Sequence, residues 1–142
     1  MDFSQFDSRT AAETPRALHL LHPATGEPLY DGDKPCEVLV IGSESREAQA
    51  AIRKAQKAKL KGDKGEEKSL EDVHASLVAA ALPLIKGFRH VSRGDKAATA
   101  ADAEWFLNLN IITGREEERS FVEQVMGFAT LRANYLGNGS PS

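Results

Sequence analysis

Apolar positions along this chain change their spacing at about residue 43. Before that point they form short runs of strand length. Ala17-Leu18-His19-Leu20-Leu21 and Glu37-Val38-Leu39-Val40-Ile41 have the β-branched content and bounding turn residues of strands. Between them lies His22-Pro23-Ala24-Thr25-Gly26-Glu27-Pro28-Leu29. Pro23 presets φ at about −65° for the second position of a turn, and Gly26 takes a positive φ without steric cost. Pro28 removes a ladder donor, so Leu29-Tyr30 is at most an edge or irregular segment. The two runs predict a hairpin-like β unit with a rigid loop.

From Ser43 the spacing becomes helical. Ser43 is placed to cap a helix reaching Lys61, with Glu44 in its first turn. Its inner face is small (Ala48, Ala51, Ile52, Ala55, Ala58), while Arg53, Lys54, Lys57, Lys59 and Lys61 form a solvated basic face. Gly62 to Lys68 reads as a charged, glycine-broken loop. Ser69-Leu70-Glu71-Asp72 resembles a capping box and opens a middle helix striped by Leu70, Val73, Leu77, Ala81 and Leu84. Pro83 should kink or end that helix.

Thr99-Ala100-Ala101-Asp102 can cap a short third helix carrying Trp105, Phe106 and Leu109, although Leu107 to Ile111 also alternates like a strand. Thr113-Gly114-Arg115-Glu116 reads as another capping box, opening a last helix of about 20 residues, roughly 30 Å. There Phe121, Val125, Phe128 and Tyr135 share a narrow arc and are candidates for either the core or a binding groove. The fold class expected is α+β, mainly helical: an N-terminal β-hairpin-like unit followed by about four helices. Residues 1–16, with Phe3 and Phe6 isolated among polar neighbours, read as a flexible N-terminal arm. Residues 17–136 read as a single domain and 137–142 as a flexible tail.

Composition narrows the function. At 142 residues the chain fits one domain, which buries about 68–70% of its extended-chain surface. A net charge of −3 argues against a general nucleic-acid binder. The single cysteine, Cys36, cannot form an internal disulfide and reads as a small buried hydrophobe in a reducing cytosol. No apolar run approaches the ~18 residues of a membrane span, and the N-terminus lacks a signal-peptide pattern. The expectation is a soluble cytoplasmic protein.

No catalytic constellation emerges. The four histidines are His19, His22, His74 and His90, and no His-x-x-x-His or Cys-x-x-Cys spacing supports a metal site. His74 falls on the apolar arc of the middle helix, where a hydrogen-bonded core histidine is expected. Gly62 and Gly65 are followed by acids, the wrong charge for a phosphate loop. Glu116-Glu117-Glu118 reads as first-turn acid stabilising the last helix. The chain is expected to be no enzyme and to use no cofactor or metal.

Four segments together resemble one family. These are the His22–Leu29 turn; Val38-Leu39-Val40-Ile41-Gly42, a strand ending in glycine; Ser43-Glu44-Ser45-Arg46, leading into a Lys/Arg-rich helix; and Phe121-Val122-Glu123-Gln124-Val125-Met126-Gly127-Phe128, followed by Arg132-Ala133-Asn134-Tyr135-Leu136. This set is similar to the tail assembly chaperones of long-tailed bacteriophages and prophages, over roughly Leu18 to Leu136. Phe88, after Lys86-Gly87, stands where the family often places tryptophan. The resemblance implies a protein that binds the tape measure protein, keeps it soluble and helps recruit tail tube subunits. Such a protein works in the host cytoplasm and is absent from the mature virion. For that client the candidate groove residues are Phe121, Val125, Phe128 and Tyr135, with Trp105 and Phe88 nearby, the core being the other place for them. Homo-oligomerisation, with Phe3 and Phe6 docking on a neighbouring copy, also follows. So does a longer, frameshifted product contacting the tail tube protein, because Leu136-Gly137-Asn138 can be encoded by a slippery heptamer. The alternative expectation is a structural minor tail or head–tail joining protein.

Overall fold

The computed structural model describes residues 1–62, 69–115 and 118–136, with the side chains of 55–62 left aside. The expected α+β class is observed. The chain starts with a 3-10 turn at Phe3–Phe6 and helix α1 (Ser8–Ala11), capped by the carboxylates of Asp2 and Asp7. Residues 1–16 thus carry two helical turns, and they end against the body: Ala12 is buried and its carbonyl accepts the Gly42 N–H at 2.8 Å.

Strand β1 (Arg16–His19) is followed by the two-residue pair β2 (Tyr30–Asp31) and β3 (Lys34–Pro35), then by β4 (Glu37–Val40). Strands β1 and β4 pair antiparallel, Arg16 opposite Val40 and His19 opposite Glu37. In β4 every second side chain is buried, so Val38 and Val40 enter the core while Glu37 and Leu39 do not.

Helix α2 (Arg46–Gly62) starts later than expected. Ser45, not Ser43, caps it: Ser45 Oγ accepts the Ala48 N–H at 3.2 Å, and Glu47 rather than Glu44 is the first-turn acid. Ser43 stands ahead of the helix, its N–H donating to Ala129 O at 2.9 Å. Gly62 closes α2, so it is not part of a loop; residues 63–68 of the expected loop lie outside the described residues.

Helix α3 (Leu70–Ala81) opens with the expected box, Asp72 N–H donating to Ser69 Oγ at 3.2 Å and Ser69 N–H to Asp72 Oδ2 at 3.3 Å. Its buried line is His74, Val78 and Ala81, whereas Leu70 is 54% and Val73 37% exposed. The apolar stripe is therefore rotated from its expected position, because His74 enters the core. Leu82-Pro83-Leu84 forms a 3-10 turn, and the helix stops where the proline requires.

The turn delivers the chain into β5 (Ile85–Arg89), an element the apolar pattern did not predict. It pairs antiparallel with the second edge of β4, Val38 opposite Phe88, making a three-stranded sheet ordered β1-β4-β5. Lys86-Gly87 carries no strand propensity; the open ladder of β4 supplies the reason for the strand. A hairpin of β6 (Ser92–Arg93) and β7 (Lys96–Ala97) follows. Next come a 3-10 turn at Ala100–Asp102 and α4 (Ala103–Leu107), opened by the expected Thr99/Asp102 box. The Leu107–Ile111 alternation forms no strand, since the Asn108 N–H and side-chain amide both donate to Glu104 O and end α4.

The expected last helix is two: α5 (Phe121–Ala129) and α6 (Ala133–Leu136). The box that opens α5 is Ser120/Glu123 and not the expected one at Thr113, where Thr113-Gly114-Arg115 forms a turn with Gly114 at φ +77°. Glu118 lies before the helix and pairs with Arg115 at 2.9 Å, so it is not a first-turn acid; Glu116 and Glu117 lie outside the described residues. The 137–142 tail lies outside them too. Phe106, Leu107, Val122 and Val125 join Leu20, Val38 and Val40 in one core.

Candidate interaction site

The His22–Leu29 turn is closed from within. His22 N–H donates to Glu27 O at 2.8 Å and Gly26 N–H to His22 O at 2.9 Å, with Gly26 at φ +76°. His22 Nδ1 accepts the Ala24 and Thr25 N–H groups at 3.0 and 3.3 Å, so this ring nitrogen carries no proton. Thr25 Oγ1 accepts the Glu27 N–H at 3.3 Å. Beyond the turn, Leu29 N–H donates to Leu20 O and Leu29 O accepts from Cys36 N–H and from the His19 ring at 2.8 Å. Pro28 is thereby placed in an isolated antiparallel bridge with Leu21.

Gln124 fixes this turn to the body. Buried to 7% exposure on α5, its Oε1 accepts the Leu21 N–H at 2.8 Å, and its Nε2 donates to Leu21 O at 2.9 Å and Arg119 O at 3.1 Å. One amide side chain thus does for Leu21 what a neighbouring strand would do. Sequence reasoning missed this role; the available signal was a polar residue on the apolar side of the helix, beside Val125. Asn110 acts similarly, its Oδ1 accepting the Phe121 N–H at 2.9 Å.

A second junction closes the other end. Tyr135 is buried, its hydroxyl donates to Val40 O at 2.8 Å, and burial pushes its phenol well above the usual tyrosine range. Its ring packs on Gly42, where an added Cβ would lie 2.7 Å from Ala12 Cβ and 3.2 Å from Tyr135 Cδ2. Arg132 forms a paired contact with Glu44, Nε to Oε1 at 2.8 Å, and this cation holds the Glu44 carboxyl below its usual range.

The six aromatic and aliphatic candidates do not form one stripe. Val125 and Tyr135 are buried. Phe88 meets Phe106 edge-on at 5.0 Å, and Phe106 stacks on Phe121 at 4.8 Å, so Phe88 and Phe121 flank one buried ring. Phe128 belongs to the other end, edge-on to Tyr135 at 5.8 Å. Trp105 is overlaid by the Arg93 guanidinium at 5.1 Å. Arg93 is itself held by Asp102 at 3.1 Å, whose carboxyl is lowered first by the Thr99 N–H and then by Arg93. Phe88, Trp105, Phe121 and Phe128 each remain partly exposed.

Beside the turn, Pro23 and Ala24 line a depression of about 100 Å³ with Asn110, Ile111 and Thr113. Ile111 is 49% and neighbouring Leu109 48% exposed. On α3 the buried His74 bonds Asn108 Oδ1 through Nε2 at 2.9 Å, while its Nδ1 has no partner among the described residues. Among the described residues no group of three or more His, Cys, Asp or Glu side chains is arranged to hold a metal, and no helix is long and apolar enough to cross a membrane. No protein-family model matches the chain, and comparisons with curated proteins and with solved structures return no match.

Proposed function

We propose that the chain is a tail assembly chaperone of a long-tailed phage or prophage. In this reading it is a non-enzymatic protein of the host cytoplasm that binds the tape measure protein, keeps it soluble and helps recruit tail tube subunits. One observation supports this most. Segments that carry the family resemblance, far apart in sequence, belong to one hydrogen-bonded unit. The 22–29 turn hangs through Leu21 from Gln124 of the Phe121–Phe128 pattern, and the strand ending at Gly42 is held by the late aromatic Tyr135. Motifs that share one framework are better read together than as separate coincidences.

Because Val125 and Tyr135 are buried, the client contacts fall to the partly exposed Phe88, Trp105, Phe121 and Phe128 and to Leu109 and Ile111. An amphipathic helix of the client would lay its apolar stripe on such side chains. Many copies along one long client add avidity without tight single contacts. A frameshifted longer form would carry the contact to the tail tube protein, and neither form would remain in the finished particle.

The test is co-expression with the tape-measure-like product encoded downstream, followed by a solubility assay and pull-down. The client should become soluble only with this protein and co-purify with it. An indifferent client, together with this protein at fixed copy number in purified particles, would replace the proposal with a structural minor tail or head–tail joining role.

A further inference from the structure

The first seven residues have an arrangement that the fold does not use. The 3-10 turn at Phe3–Phe6 buries none of its residues, and Phe3 and Phe6 are 74% and 52% exposed. In a 3-10 turn, positions i and i+3 eclipse, so both rings stand on one side, edge-on at 5.5 Å. The turn is ordered by its own contacts. Asp2 accepts from the Ser4 N–H at 3.0 Å and the Ser4 hydroxyl at 2.8 Å, Gln5 Nε2 donates to Asp2 O at 3.0 Å, and Asp7 N–H donates to Ser4 O at 3.2 Å. Asp7 then caps α1 through the Thr10 N–H at 3.0 Å, and α1 leads to the buried Ala12. A pre-shaped aromatic pair is thus held on a fixed stem, which lowers the ordering cost of binding.

Charge indicates what the pair meets. Between Met1 and Ser8 the only ionisable side chains are Asp2 and Asp7, one on each side of the two phenylalanines. Backbone N–H donation from Ser4 and Thr10 keeps both carboxyls below the usual range, so they stay ionised. We propose that residues 1–7 are a docking element for a second protein, recognised in an apolar groove rimmed by lysine or arginine. The two rings fill the groove and the two carboxylates meet its rim. A second copy of this chain is a poorer fit: where its arginines line a depression, at Arg115 and Arg119, the other lining residues are Gly114 and Glu123, which give two phenyl rings no apolar floor. This docking is independent of tape measure binding and can fail without affecting that proposal.

The test places a photo-crosslinking benzoylphenylalanine at Phe3 or, separately, at Phe6 of the full chain in producing cells, and maps the crosslinks by mass spectrometry. Both positions should reach the same heterologous protein, in an apolar groove with lysine or arginine at its edge. With that partner purified, joint Phe3→Ala and Phe6→Ala substitution should weaken binding about a hundredfold or more. Joint Asp2→Asn and Asp7→Asn keeps the caps and removes the charge; it should weaken binding about tenfold at low salt and less at high salt. The melting temperature should not change in either variant. Crosslinks confined to a second copy, scattered crosslinks or none, unchanged binding of the alanine variant, or a lowered melting temperature would each overturn the proposal.

Discussion

The 22–29 turn and the 1–7 turn are both exposed, polar and glycine- or aspartate-dependent, yet they are held in opposite ways. The first is closed by His22 and then fastened by Gln124, whose partner Leu21 lies 103 positions away. The second is closed only by contacts two or three residues apart. A segment fixed by long-range bonds shares the stability of the whole fold, whereas one fixed by its own neighbours holds its shape independently of that fold. The structure thus separates a framework turn from a presenting turn, although both look like surface loops.

Removing the fastening is the strongest way to break that contrast. Gln124→Ala leaves Leu21 N–H, Leu21 O and Arg119 O without their partner, and should cost about 3 kcal/mol in chemical denaturation. Gln124→Glu keeps an acceptor for Leu21 N–H but sets a buried carboxylate against the Leu21 and Arg119 carbonyl oxygens, so at neutral pH it should cost at least as much as Gln124→Ala, and less in acid, where protonation restores one donor. If Gln124→Ala costs no more than a surface substitution, the turn is not fastened as described.

Crowding the second junction should come next. Gly42→Ala puts a methyl group 2.7 Å from Ala12 Cβ and should cost about 2 kcal/mol, because neither α1 nor Tyr135 can yield without losing a contact. Tyr135→Phe removes the hydroxyl bond to Val40 O and should cost about 1 kcal/mol at neutral pH. Tyr135 also has a pH signature. Its folded-state phenol is raised above the unfolded value, so the folded state retains the proton longer, and stability should fall as pH rises above about 10. Tyr135→Phe should remove that part of the alkaline loss, and an unchanged alkaline profile would contradict the assignment.

The smallest of these effects concerns His22. His22→Ala removes the acceptor for two exposed amides and should cost about 0.5–1 kcal/mol, which His22→Asn should partly restore by an Asx-type bond. Amide exchange would sharpen the comparison: protection at Leu21 should fall in Gln124→Ala far more than in His22→Ala.

Much of the local structure was legible in the amino acids because its causes are local. The turn follows from Pro23 and Gly26, the start of α3 from Ser69 and Asp72, its end from Pro83, and the start of α4 from Thr99 and Asp102. The misreadings share a different cause. Two serines could cap α2, and the helix starts at the second, Ser45, while Ser43 stays outside it with its N–H bonded to Ala129 O on a remote helix. The expected cap at Thr113 gives way to Ser120/Glu123, which starts α5 with Val122 and Val125 in the core. β5 exists because β4 has a second edge to satisfy. For the candidate site, the aromatic residues were identifiable by type, but their division between Phe106 and Tyr135 was not.

By itself the sequence determined the α+β class, the position of the first turn and the stop of α3, since proline, glycine and capping side chains act within a few residues. Only the tertiary structure decided that Gln124 holds Leu21, that Tyr135 seals Gly42, and that the aromatic residues divide into two groups. Those outcomes depend on which distant donor, acceptor or ring arrives at each place, and spacing along the chain does not encode that meeting.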